Sequence, residues 1–188
     1  MNTLPSNFEL ERYGLRVRLV REDDAEFIVK LRTNPQNARF IHDTNPSVEN
    51  QRIWIRQYKE REKNGKEYYF IFFDRNKPVG LYRLYNIHDL TYTGGSWICA
   101  DNIPFEQAVA TAVITREIAF EIIGFEYEDD FDGVHVDNKH VFKFNKMVGM
   151  HETGRFMDVK GEYIAMAMTK QEFEDKKGRL LKLIGYGE

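Results

Sequence analysis

Three strand-like segments in direct succession, with helical segments on either side, constrain this chain more than any single motif. Tyr68 to Phe73 is an unbroken aromatic and β-branched run, Asp74-Arg75-Asn76-Lys77 is turn-like, and Pro78 to Ile87 reads as a second strand. Thr93 to Cys99, TGGSWIC, reads as the third. Ahead of them, Leu15, Val17 and Leu19 alternate with Arg16 and Arg18 as a half-buried strand does. Asp23 and Asp24 offer caps for a helix through Ala25, Phe27, Ile28 and Leu31, which Thr33-Asn34-Pro35 stops. After a loop over residues 40–46, Ser47 caps a second helix with Ile53, Trp54, Ile55 and Tyr58 at helical spacing, ended by Asn64-Gly65.

Beyond the three strands, Pro104 opens a long helix in its first turn, where a missing N–H costs nothing. Phe105, Val109, Ala112, Val113, Ala119, Phe120 and Ile123 form its buried stripe, and Gly124 stops it. An acidic loop follows, then a short strand over residues 133–137, a helix capped by Asn138 and closed by Gly149, a weak strand over residues 153–157, and a clear one over residues 163–169. A charged helix from Lys170 to about Leu183 completes the order. Residues 1–11 read as a polar leader, and residues 12–188 as one α/β domain.

Charge and composition narrow the function classes. With 27 basic and 30 acidic residues the net charge is −3, which argues against a basic face for nucleic acid. No apolar run approaches the ~20 residues of a membrane span. The first residues carry acids and no apolar core of a secretory signal, so a cytoplasmic location is expected. The single cysteine, Cys99, makes no internal disulfide, and five scattered histidines give no metal-ligand spacing. The acidic run 126–133 fails as a calcium loop: with Gly133 at loop position six, position twelve is Lys139, a cation where the ion requires glutamate. It reads as a solvated loop. Cys99 has no histidine beside it and suits a buried hydrophobe better than a nucleophile. A nucleophile elbow, a Walker loop and GxGxxG are all absent from the sequence.

The order of elements, at this length, resembles the GCN5-related N-acetyltransferase superfamily over about residues 12–169. Asn138-Lys139-His140-Val141-Phe142-Lys143-Phe144-Asn145-Lys146-Met147-Val148-Gly149-Met150 is similar to that family's Asn-x-x-Ser/Ala…Lys-x-Gly-Phe segment. Ala119-Phe120-Glu121-Ile122-Ile123-Gly124-Phe125 resembles the end of its central helix, and Lys77-Pro78-Val79-Gly80 the turn into its substrate-facing strand. The helix start Asn138-Lys139-x-Val141-x-Lys143-Phe144 and the strand Trp97-Ile98-Cys99 are similar to RimJ/RimL-like and amino-sugar members. The resemblance implies a mixed, splayed sheet flanked by helices, with Ile98 to Ala100 parting from Val134 to Val136. It also implies acetyl transfer from acetyl-CoA to a primary amine by direct attack.

The cofactor arm would then lie along Trp97, Ile98, Cys99 and Ala100, and its pyrophosphate at the helix start, Phe105, Gln107, Ala108, Val109 and Ala110. Asn138, Val141 and Phe144 would complete that wall. The family's glycine-containing loop is here Ile103 to Ala110 without glycine. Glu106 beside phosphate would cost about 1–4 kcal/mol at 4 Å, against ~0.3–1 kcal/mol from the helix dipole. Asn145 matches the position of a proton-donating tyrosine, and Gly95 that of a glutamate base. His135, with Asp137 near it, then suits proton transfer, or else merely lines a strand face. Phe40, His42, Trp54, Tyr82 and Tyr85 fall where the acceptor cleft is walled, though Trp54 equally suits a helical core. An aromatic, uncharged wall fits an amino sugar or small polar amine better than a polycation. The alternative is a catalytically silent protein of the same fold that binds a ligand or partner. The aromatic content permits a homodimer without locating its face.

Overall fold

The structure is a computed structural model that describes residues 2–41 and 44–187. Its described residues form one sheet of eight strands: β1 (Glu9–Arg12), β2 (Leu15–Leu19), β3 (Tyr68–Asp74), β4 (Lys77–His88), β5 (Thr91–Cys99), β6 (Tyr127–His135), β7 (His151–Asp158) and β8 (Gly161–Thr169). The spatial order is β1-β2-β3-β4-β5-β6-β8-β7. Every neighbouring pair is antiparallel except β5 with β6. The parallel pair needs a crossover, and the long central helix supplies it.

β3 explains why its sequence is apolar without interruption. Tyr68, Phe70 and Phe72 face one core, while Tyr69, Ile71 and Phe73 face a second core on the other side of the sheet. The second core is closed by α1 (Ala25–Thr33) and α3 (Val48–Lys63), with the short α2 (Pro35–Ala38) between them. The first core is closed by α4 (Phe105–Glu117), α5 (Lys139–Val148) and α6 (Lys170–Leu183). α4 is buried at every position from Val109 to Glu117 and continues as one π-helical turn, Ile118–Ile123, before Gly124 ends it at φ 91°. Ser47, Asn138 and Thr169 cap α3, α5 and α6 through their side chains, each accepting from a backbone N–H three residues on. Among the described residues, no helix is long and apolar enough to cross a membrane.

Two sequence expectations are corrected. Within the supposed leader, Leu4 is buried and Glu9–Arg12 pair with β2 as a strand. The hairpin turn there puts Tyr13 at φ 51° and Gly14 at φ 72°, as a two-residue hairpin loop requires. The supposed acidic loop is β6. Its acids are tolerated in a strand because Glu128 is neutralised inside the protein and Asp132 is held by a tyrosine, while Gly133 (φ 66°) makes a bulge. The weak strand over residues 153–157 is the middle of β7, an exposed edge strand, which is why its hydrophobic pattern is faint.

Candidate active site

β5 and β6 pair only at Thr91–Thr93 with Tyr127–Asp129 and then part. The fork holds a cavity of about 670 Å³ that reaches from α5 to the β7–β8 hairpin. On its other side β5 stays bonded to β4, the Ala100 N–H donating to the Val79 carbonyl at 2.8 Å. Strand alternation therefore turns the N–H groups of Trp97 and Cys99 toward the open edge. Ser96, at φ 48°, interrupts that alternation beside the cavity.

At the vertex of the fork lies a fully buried ion pair. Arg116 of α4 and Glu128 of β6 are 2% and 1% exposed, and Glu128 also accepts from the hydroxyls of Tyr82 at 3.1 Å and Tyr92 at 2.8 Å. An added Cβ at Gly94 would stand 2.5 Å from Glu128 Oε1, so glycine is needed for β5 to pass this cluster.

Nearer the mouth, the Tyr85 hydroxyl donates a short hydrogen bond to Asp132 Oδ2, and both residues line the cavity. Asp132 Oδ1 has no hydrogen-bond partner among the described residues. Asp132 sits in the β6 bulge, next to Gly133, whose missing side chain leaves room for Phe156 (2.8 Å from an added Cβ). A Cβ at Gly95 would stand 2.8 Å from the Tyr85 hydroxyl. The tyrosine thus fills the space a β5 side chain would occupy, and a carboxylate enters from β6 instead.

The sequence-derived residues divide into groups. Phe40, Tyr82, Tyr85, Trp97, His135, Asn138, Val141, Phe144 and Asn145 line the cavity together. Trp97 stacks on Phe144 with centroids 4.1 Å apart and donates from Nε1 to Thr111 at 3.0 Å. The Asn145 side-chain amide approaches the Met166 sulfur at 3.8 Å. His135 Nδ1 accepts from the Asp137 N–H, which leaves Nε2 protonated toward the Lys160 carbonyl, each at 3.1 Å. Both ring nitrogens are therefore occupied by backbone, and His135 has no lone pair free for a substrate proton. Trp54 lines a neighbouring recess instead, and His42 lies outside the described residues.

On the cofactor side the side chains of Ile98, Val109 and Ala110 are in the core, so only their backbone could meet a ligand. The Ala108 N–H is bonded to the Pro104 carbonyl within the helix, and Gln107 donates from its side chain to Asp74. Of the helix start, Phe105 and Glu106 keep N–H groups with no intrahelical acceptor. Glu106 is exposed, which moves its repulsion of an anion to the water end of the range, about 1 kcal/mol. Burial pushes the Cys99 thiol up to about 12, despite a hydrogen bond with Thr111, so it is no nucleophile at neutral pH. The open β5 edge, the fork and two free helix N–H groups together fit a pantetheine arm with its pyrophosphate. Asp132, Ser96 and the Tyr85–Gly95 exchange escaped sequence reading. Asp132 had a signal, an acid beside a glycine in a β-pattern, which the acidic run concealed.

Residues 14–123 match the family model of the acetyltransferase (GNAT) domain. Among solved structures, apo FdhC, described as a nucleotide-linked sugar GNAT, is 33% identical over 95% of this chain and 99% of that one, with a TM-score of 0.78. Mycobacterium smegmatis RimJ in complex with CoA-disulfide is 16% identical over 93% of this chain and 91% of that one, with a TM-score of 0.78. The Vibrio cholerae spermidine N-acetyltransferase in complex with CoA and spermine is 16% identical over 87% and 99%, with a TM-score of 0.72. These last two show likeness of fold alone. No curated protein matches the chain in sequence. The chain belongs to the GNAT acetyltransferase family.

Proposed function

We propose that this chain transfers an acetyl group from acetyl-CoA to the primary amine of a small molecule, an amino sugar, by direct attack within a ternary complex. The observation that carries this reading is Asp132, held on one oxygen by Tyr85 and turned into the fork from β6. Bound acetyl-CoA supplies an acetyl thioester, and every other requirement falls on the chain. Asp132 Oδ1 receives a hydrogen bond from the attacking amine and then its proton, while Tyr85 fixes the carboxylate's direction. The backbone N–H groups of the open β5 edge support the carbonyl oxygen as it gains charge. Asn145 donates a hydrogen bond toward the departing sulfur, without proton transfer. The aromatic wall of Phe40, Tyr85 and Phe156 suits the apolar face of a sugar ring, and the 33% identical relative carries the description of a sugar GNAT.

Turnover of acetyl-CoA with a panel of amino sugars and of small polyamines tests the proposal. An amino sugar is expected to be acetylated, and Asp132→Asn to lower kcat/KM by about 10²–10⁴-fold at unchanged KM for acetyl-CoA. Turnover with no amine, alongside intact acetyl-CoA binding, would favour the silent ligand-binding alternative. An Asp132→Asn variant with ordinary activity would remove the carboxylate from the mechanism.

A further inference from the structure

Beside the main cavity a second recess of about 310 Å³ opens between α3 and the sheet. The two share Arg32, Arg83 and Ser96, so a ligand in one can continue into the other. Arg83 follows Leu81 on the α1/α3 face of β4, opposite Gly95, and its guanidinium is held between the rings of Trp54 (5.2 Å) and Tyr85 (4.7 Å). It engages Glu67 through Nε at 2.6 Å, and its terminal N–H groups have no acceptor among the described residues. Glu67 is shared: its other oxygen accepts from Arg61 Nε at 2.6 Å. Among the described residues, this one carboxylate thus answers both the Arg61 and the Arg83 guanidinium. Arg32 also lines both cavities, its guanidinium donating to Thr44 at 2.7 Å and Ser96 at 3.3 Å.

A second observation points into the same place. The Tyr69 hydroxyl, on a residue 2% exposed, is buried without a hydrogen-bond partner, and Arg32 approaches it without the geometry to serve as one. A buried hydroxyl left unpaired is destabilising, and a ligand's polar group relieves it. The far wall of the recess carries Asn45, Asn50 and Gln51, amides that offer both donors and acceptors. The order along the face is therefore carboxylate, aromatic ring, guanidinium pair, amide wall. A cationic polyamine does not match it, because guanidiniums stand where a second ammonium would go.

We propose that the recess binds the nucleoside diphosphate of a nucleotide-linked amino sugar. The terminal N–H groups of Arg83, with Arg32, take the diphosphate, the amide wall and Tyr69 take the nucleoside, and the sugar amine reaches Asp132. Planar guanidiniums match phosphate oxygens two at a time, and a fork already held flat between two rings loses little freedom on binding. The assignment rests on the acetyl-transfer reading above and adds the acceptor's second half. Arg83 is a binding residue here and no part of the proton transfer.

Two measurements separate the claims. Calorimetry with UDP and dTDP as probes is expected to show one site per chain, competitive with the acceptor and not with acetyl-CoA. The nucleotide-linked amino sugar is expected to exceed the free sugar at least 10²-fold in kcat/KM. Arg83→Gln is expected to raise KM for the linked sugar at least tenfold, with the KM for acetyl-CoA within about twofold, and Arg83→Lys to recover only part. Because Arg83→Gln disturbs Glu67, Gln51→Ala serves as a second variant and is expected to weaken dTDP or UDP several-fold. Equal turnover of free and linked sugars, nucleotide binding that competes with acetyl-CoA, or no effect in either variant would overturn the recess while leaving acetyl transfer standing. Nucleotide binding in the recess with no acetylation of any amine would overturn acetyl transfer instead.

Discussion

Replacing Glu128 by glutamine tests the physics of the fork directly, because the change preserves shape and removes one charge. Arg116 and Glu128 are almost wholly out of water, with Arg116 Nε and its terminal nitrogen each 2.9 Å from a carboxylate oxygen. Nε lies close in distance but misses hydrogen-bond geometry, so the charge attraction and the terminal N–H carry the contact. Burial alone would lower the Arg116 pKa; the Glu128 carboxylate outweighs it and holds the guanidinium charged. Glu128→Gln therefore leaves an uncompensated cation in the interior, a loss of about 3–5 kcal/mol. At ~2–4 °C per kcal/mol for a chain this size, the melting midpoint should fall by roughly 6–20 °C. Removing both charges, as Arg116→Met with Glu128→Leu, does not restore the wild type by itself. Tyr92 loses its acceptor, at about 1–3 kcal/mol for a stranded hydroxyl, and Tyr82 loses its bond to Glu128. Adding Tyr82→Phe and Tyr92→Phe should bring stability back to within about 1–2 kcal/mol of wild type, since a packed apolar cluster replaces a buried ionic one. Urea denaturation of the single, double and quadruple variants gives the coupling energies. A loss below about 1 kcal/mol in Glu128→Gln, or a quadruple variant no better than the single, would refute the reasoning.

Other expectations concern separate parts of the fold. With its thiol at about 12, Cys99 should be thiolate in only ~10⁻⁴ of molecules at pH 8, so a disulfide reagent should label it fully only after denaturation. Burial tends to raise the Glu117 carboxyl, but hydrogen bonds from Tyr13, Arg12 and Lys177 outweigh it and hold it below the usual range. The folded state then binds fewer protons than the unfolded chain, so this stability is full above the unfolded value of about 4.3 and lost as pH falls through the folded one. Glu117→Gln should flatten that acid limb in urea midpoints measured against pH. Gly95→Ala should displace the flexible Tyr85 side chain by its 2.8 Å approach, cutting kcat by roughly 10²-fold with little change in the melting midpoint.

The fold was legible where burial follows a simple period. β2 shows two-residue alternation, β3 is apolar on both faces, and the caps at Ser47 and Asn138 mark helices that begin where the sequence places them or close to it. Legibility failed where polar residues are satisfied by partners distant in sequence. Glu128 reads as solvated because Arg116, Tyr82 and Tyr92 come from other elements, and residues 9–11 read as part of a leader because this edge strand is half exposed. The site was legible in the same measure. Cavity-lining apolar positions such as Trp97, Val141 and Phe144 lie on patterned elements, whereas Asp132 depends on a bulge whose extra residues break the period.

That bulge also bears on the departure from the family pattern at Gly95. A carboxylate on β5 at Gly95 would need the volume that Tyr85 occupies, so the two arrangements exclude each other sterically. With Tyr85 in place, the acid must arrive from the facing strand, and a regular β6 would alternate its side chains without regard to the fork. Two extra residues between Asp130 and Val134, relative to Met166 and Ile164 on β8, and the left-handed Gly133 break that alternation. Alanine at Gly133 would be strained at φ 66° and would meet Phe156 at 2.8 Å and the Ile164 carbonyl at 3.1 Å. Gly133→Ala should therefore cost about 1–3 kcal/mol and re-aim Asp132, lowering kcat more than KM. An unchanged kcat in a folded Gly133→Ala protein would mean that the bulge does not set the direction of the acid.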